Sequence, residues 1–171
     1  MEYDAFGDDN EDGCRNLTEL SLPALLIADD FAFYAMGRNM PTTTINLPLL
    51  TTANDYCFGV CRSLTTINLP SLTTAGDYCF NGCINLKTIN LPQLITADNN
   101  CFQNCVSLTT INLSSCTDLG GTVLDNQVFT GISGKTILAT FNSLLATCNS
   151  GSPDGDIQTL VANNTVTITY V

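Results

Sequence analysis

Histidine and tryptophan are absent from this chain of 171 residues, and lysine and arginine together number only five. Without histidine, the Ser-His and Cys-His pairs that activate a nucleophile cannot form. Five basic residues against sixteen acidic ones leave a net charge of −11. That balance excludes a phosphate-neutralising surface, and with it nucleic acid and anionic membranes as partners. No glycine-rich phosphate loop and no convincing pair of catalytic carboxylates is present, so the chain reads as a non-enzyme. Long apolar runs are missing too. The longest, Leu22 to Ala28, falls far short of the roughly 20 residues of a membrane span. No signal peptide is visible, because Met1 to Asp12 is acidic and lacks an apolar stretch.

What the chain has is repetition. Thr44-Ile45-Asn46-Leu47-Pro48 returns as Thr66 to Pro70 and Thr88 to Pro92, then as Thr110 to Leu113 followed by Ser114, at a spacing of 22 residues. A fixed period of this length marks a solenoid, in which one coil cannot bury its apolar side alone. The full unit is Leu-x-x-Ile-x-Leu-Pro-x-Leu-x-x-Ala-x-Asp-x-Cys-Phe-x-x-Cys. The coil from Leu64 to Cys83 fits every position, the next keeps all but the Asp (Asn99), and an earlier one starts at Leu17 and gains three residues near Gly37-Arg38-Asn39. Ala5-Phe6 and Cys14 look like the end of a truncated first coil.

Within a coil, Ile67 and Leu69 share one face of a strand, with Thr66 and Asn68 on the other. Pro70 ends the ladder because it has no N–H to donate. Asp77 precedes Tyr78-Cys79-Phe80 as an N-cap would precede a helical or 3-10 turn. The expected fold is therefore an α/β repeat solenoid with a parallel β-sheet on one face and short helical turns on the other. It has about five regular repeats and a C-terminal cap. The single domain, 1–171, divides into a truncated coil with an acidic insert (1–16), regular repeats of 22–25 residues (17–116), and irregular coils ending in a strand (117–171).

Past Cys116, Val128-Phe129 resembles another Cys-Phe position, Lys135 to Thr140 another strand, and Asp156 to Asn163 a helix. The alternation of Thr165 to Val171 makes it the last strand. That gives about seven strands, spanning roughly 30 Å at ~4.8 Å each.

The Leu-x-x-Ile-x-Leu-Pro strand and the Phe-x-x-Cys-x-x-Leu turn, as in Phe80 to Leu86, resemble the BspA-like leucine-rich repeat family over residues 5 to 116. Cys57, Cys79 and Cys101 depart from it, standing where the family usually has Ala. The resemblance implies a right-handed coil used at bacterial, phage or protist surfaces, typically as an adhesin or host-contact module. It brings no catalytic residues. Localisation is then extracellular, cell-surface or virion.

Three groups of side chains are candidates for function. Outward strand positions carry Thr44, Asn46, Thr66, Asn68, Thr88, Asn90, Thr110 and Asn112, with Glu19 and Ser21 before them and Thr167 and Thr169 after. This uncharged grid either serves the sheet through its own Asn and Thr ladders or presents many weak contacts to a protein or glycan.

Nine cysteines form the second group, six of them in two files: Cys57, Cys79, Cys101 and Cys61, Cys83, Cys105. Ala32 and Met36 replace them in one coil, which is what packing requires and a metal or redox centre does not tolerate. Cys116 and Cys148 lie off the files and are a candidate bridge.

Third, Asp8-x-Asn10-x-Asp12-Gly13 with Glu19 satisfies the EF-hand calcium pattern. The flanks do not, since no entering helix fits before it and Glu19 falls on a strand. A solvated acidic insertion and a calcium site on a non-EF scaffold both stand, with no other cofactor expected. The Asp30, Asp55, Asp77 file is assigned to capping and Asp154-Gly155-Asp156 to a turn. The leading function is a surface adhesion module contacting a partner through Thr and Asn. The alternative is a structural subunit of a fibre, surface layer or virion appendage, assembling end to end through its terminal strands.

Overall fold

The computed structural model describes residues 17–36, 44–119, 128–134, 136–141 and 155–171. Asp8, Asn10, Asp12, Cys14, the insertion at Gly37-Arg38-Asn39, Cys148 and Asp154 lie outside the described residues.

Each coil opens on the expected strand: β1 (Glu19–Ser21), β3 (Thr44–Asn46), β5 (Thr66–Asn68), β7 (Thr88–Asn90), β9 (Thr110–Leu113), β11 (Thr136–Phe141) and β12 (Thr165–Tyr170). The central isoleucine of each Thr-Ile-Asn strand is buried while its neighbours face outward. Every pairing is parallel and in coil register, as with Thr44 on Thr66, Ile45 on Ile67 and Asn46 on Asn68. The ladder falls into a three-stranded part, β1-β3-β5, and a four-stranded part, β7-β9-β11-β12. At the join β5 and β7 lie side by side, linked by Lys87 N–H to Thr65 O at 3.4 Å. After each strand a Leu-Pro-x-Leu turn closes through a bond such as Leu72 N–H to Leu69 O, 3.2 Å, with Pro at the turn position that its fixed φ favours.

A second sheet follows that the sequence pattern did not show. β2 (Ile27–Ala28), β4 (Thr52–Ala53), β6 (Thr74–Ala75), β8 (Thr96–Ala97) and β10 (Asp118–Leu119) form five parallel strands of two residues each. Their inward file, from Ala28 through Ala53, Ala75 and Ala97 to Leu119, is buried.

The third side corrects the expectation of helical turns. No helix forms there among the described residues. Two successive four-residue turns do, closed by Cys79 N–H to Gly76 O (3.2 Å) and Asn81 N–H to Tyr78 O (2.9 Å). The turns depend on left-handed residues at two fixed positions: Phe31, Tyr56, Tyr78 and Asn100 at the first (φ 55–60°), and Ala35, Val60, Gly82 and Asn104 at the second (φ 55–71°). For a residue with a Cβ this region costs roughly 1–2 kcal/mol. The offset is visible in the next coil. Tyr78, Phe80 and Gly82 donate to the carbonyls of Asn99, Cys101 and Gln103 at 2.8–2.9 Å, so the left-handed turns aim alternate N–H groups along the solenoid and make a third ladder. A helical turn would have spent those donors inside its own coil.

The core runs the length of the molecule between these sides. Phe33, Phe58, Phe80, Phe102 and Phe129 stack at centroid spacings of 5.2–5.8 Å, and Phe141 ends the spine, tilted, at 6.2 Å. Val128 takes the ladder-cysteine position, its carbonyl accepting from Phe102 N–H at 3.0 Å. α1 (Gly155–Asn163) packs Ile157 and Leu160 onto the end of the core, and β12 follows as the last rung, pairing with β11 over six residues. No helix among the described residues is long and apolar enough to cross a membrane.

Candidate functional site

The outward positions of the first ladder form two files. Register places Thr44, Thr66, Thr88, Thr110, Leu138 and Thr167 in one, and Asn46, Asn68, Asn90, Asn112, Thr140 and Thr169 in the other. Over the four-stranded part lies a trough of about 480 Å³. Thr88, Asn90, Thr110 and Asn112 line it, together with Leu138, Thr140, Thr167 and Thr169. Thr44, Asn46, Thr66 and Asn68 occupy the same face but do not line the trough.

Hydrogen bonding divides the grid. Asn68 Nδ2 donates to Asn46 Oδ1 and Asn112 Nδ2 to Asn90 Oδ1, each at 2.8 Å. No such bond joins Asn68 to Asn90, so the asparagine ladder breaks where the sheet does. Asn112 Oδ1, buried at the open end of its pair, has no partner among the described residues. The asparagines are thus largely engaged with one another, and among the trough's apolar side chains Leu138 is the exposed one, at 57%. Leu138 escaped the sequence reading because Ile137-Leu138-Ala139 looks continuously apolar. Only the pairing of Leu138 with Thr110 reveals which of the three faces out.

The ladder cysteines are wholly buried. Cys61, Cys83 and Cys105 donate their thiols to the carbonyls of Phe33, Phe58 and Phe80 in the preceding coil at 3.1–3.3 Å. Burial, followed by neighbouring thiols, pushes the Cys61 and Cys79 thiols far above the ordinary cysteine range. Such groups carry no thiolate at neutral pH and are not nucleophiles. No cluster of three potential ligands for a metal forms among the described residues. Cys116 donates to Asp118 O at 3.2 Å; its candidate partner Cys148 lies outside the described residues, as do Asp8, Asn10 and Asp12. Glu19 is exposed on β1, in register with Thr44, so the twelfth position of the EF-hand pattern falls on a strand.

The acidic file is a further correction. Asp55 N–H donates to Asp30 Oδ1 (3.2 Å), Asp77 N–H to Asp55 Oδ1 and Asn99 N–H to Asp77 Oδ1 (both 2.9 Å). Each carboxylate serves the coil that follows, not the start of a helix in its own. Beside this file three of the residues at the first left-handed position stack, Phe31 exposed and Tyr56 and Tyr78 half-buried. Phe31 lies 4.9 Å from Tyr56, and Tyr56 4.7 Å from Tyr78, with planes within 7°. Tyr34 crosses Phe31 and Tyr56 at 71°. Nothing in the periodic pattern separated these tyrosines from the loop positions around them.

Short parallel strands at a fixed coil period and a core of leucine, alanine and phenylalanine define a leucine-rich-repeat solenoid. The model of the BspA type leucine-rich repeat region matches six copies over residues 6–133, and the chain belongs to that family. A leucine-rich repeat protein of T. pallidum, known from its crystal structure, is similar in fold. It superposes with a TM-score of 0.55 at 16% identity, covering 88% of this chain and 86% of that one. No curated protein matches by sequence.

Proposed function

We propose that the protein is a non-enzymatic binding module of an extracellular, cell-surface or virion protein, contacting a protein or glycan through its strand face. Leucine-rich repeats commonly serve protein binding or adhesion, and the fold alone does not choose the ligand. The trough carries the reading. It combines hydroxyls that make no bond to described residues with one exposed aliphatic side chain, and it holds no charge. Such a surface suits a neutral partner held by several weak contacts. Arrays of glycans and matrix proteins test it, followed by Thr110→Val and Leu138→Asp with circular dichroism to check the fold. Binding lost in both variants supports the assignment; a ligand bound equally by both overturns it.

A second reading, assembly through the end strand, is favoured by β12. Its Thr-Val-Thr-Ile-Thr-Tyr sequence carries no charge, and it is the last strand of its sheet, the kind of edge that pairs with another chain. Light scattering with electron microscopy separates the two: discrete filaments favour assembly, and a monomer at high concentration rules it out.

A further inference from the structure

The turn side carries a second surface, remote in kind from the uncharged trough. Phe31, Tyr56 and Tyr78 stack face to face, with Tyr56 in the middle. Tyr34 is turned across them, and it lies against Gly59, where a Cβ would stand 3.0 Å from its Cδ2 and 3.1 Å from its Cε2. The ring is half-buried, and it meets Gly59 along the edge formed by Cδ2 and Cε2. An aromatic face is the negative end of the ring quadrupole and attracts cations.

Alongside run Asp29, Asp30, Asp55, Asp77 and Asp98, none of which meets a Lys or Arg among the described residues. Their field is felt locally. Asp98 is raised above the usual carboxylate range by burial and then by Asp77, Asp118 and Asp55. The Tyr56 hydroxyl is raised by burial, by Tyr78 and Tyr34, and by Asp77 and Asp55. A ring face beside carboxylates could also suit a sugar, but a neutral sugar would leave this repeated negative charge uncompensated. The absence of any three-ligand cluster argues against a bound metal ion in that role among the described residues.

We propose that the ridge of Phe31, Tyr34, Tyr56 and Tyr78, with the Asp30, Asp55 and Asp77 file beside it, docks a Lys/Arg-bearing segment of a partner protein. The cation sits on the Tyr34 face and its N–H groups reach the carboxylate oxygens not engaged with backbone. Three successive coils offer the same acidic group, at Asp30, Asp55 and Asp77, so the segment lies along the solenoid axis.

The test is calorimetric titration of the full chain with a peptide alternating arginine and serine, and with its counterpart in which neutral citrulline replaces arginine. The arginine peptide binds, more weakly as ionic strength rises, and the citrulline peptide does not. Tyr34→Ala weakens binding by about two- to fivefold, the scale of an exposed cation–π contact. The pair Asp55→Asn and Asp77→Asn weakens it by about two- to tenfold, the scale of two exposed ion pairs. These amides keep the backbone acceptor, and Asn99 already stands at that position in the next coil. Thr110→Val, in the trough, leaves the peptide affinity unchanged. No binding, equal binding of the citrulline peptide, or indifference to both sets of ridge variants overturns the proposal. So does a neutral oligosaccharide whose binding depends on Tyr34.

Discussion

The carboxylate of Asp55 accepts the backbone N–H of Asp77 from the next coil at 2.9 Å, and Asp77 repeats the contact one coil on, taking both the N–H and the Nδ2 of Asn99. Aspartate at this position is therefore an axial link between coils. Asp77→Ala leaves the Asn99 N–H without its acceptor and is expected to cost about 1–2 kcal/mol. Asp77→Asn keeps an oxygen in place and costs well under about 1 kcal/mol. Urea denaturation of the two variants measures the difference; equal losses would show that charge, not the acceptor, is what matters.

Left-handed backbone gives a second outcome. Asn100 has φ 57° and a buried Oδ1 with no partner among the described residues. Asn100→Gly removes both costs and is expected to stabilise the protein by about 1 kcal/mol. Gly82→Ala runs the other way. Its Cβ would meet Val60 at no closer than 3.6 Å, so only backbone strain is added, about 1–2 kcal/mol. Thermal unfolding of both variants reads the opposite signs.

Much of this architecture was legible in the sequence. The Thr-Ile-Asn strands, the Val128-Phe129 position and the closing strand announced themselves because apolar side chains at fixed spacing must face one core. The second sheet did not, because its strands are two residues long and Thr-Ala carries no alternation. The turn side was misread for a different reason. Asp-x-Cys-Phe fits a capped helical turn locally, and only the donor demands of the neighbouring coils favour left-handed Tyr56 and Tyr78 over it. At the candidate site, the Thr and Asn files followed from periodicity, whereas Leu138 needed the register of β11. The pairing of Asn90 with Asn112 but not with Asn68 depends on a break in the sheet that no repeat could encode.

The thiols offer a chemical check. Cys83 is fully buried and bonded to Phe58 O, and burial holds its ladder neighbours protonated. Alkylation of the native protein is expected to leave Cys57, Cys61, Cys79, Cys83, Cys101 and Cys105 unmodified, with full labelling only after denaturation. Mass spectrometry of iodoacetamide-treated protein identifies each site. Cys83→Ala additionally removes the donor to Phe58 O and opens a small void, an expected loss of about 1–2 kcal/mol. Rapid native labelling of the ladder would contradict the packing assignment.

Asp98 links the acidic face to stability. Its carboxyl is raised by burial first and by Asp77, Asp118 and Asp55 next, so the folded protein holds that proton more tightly than the unfolded chain does. The associated stability is fully present below the ordinary aspartate value and is lost as pH rises through the raised one. At neutral pH the ionised group therefore opposes folding. Asp98→Asn removes the charge, and Asn54 occupies the equivalent place one coil after Asp29. The variant is expected to be more stable than the parent near pH 7, by less than about 1 kcal/mol because the site is partly solvated. At about pH 3, where aspartate is protonated in both states, the advantage disappears. Urea titrations at the two pH values measure it; a gain of the same size at both would mean that the introduced amide helps through a new hydrogen bond and that repulsion along the acidic file contributes nothing.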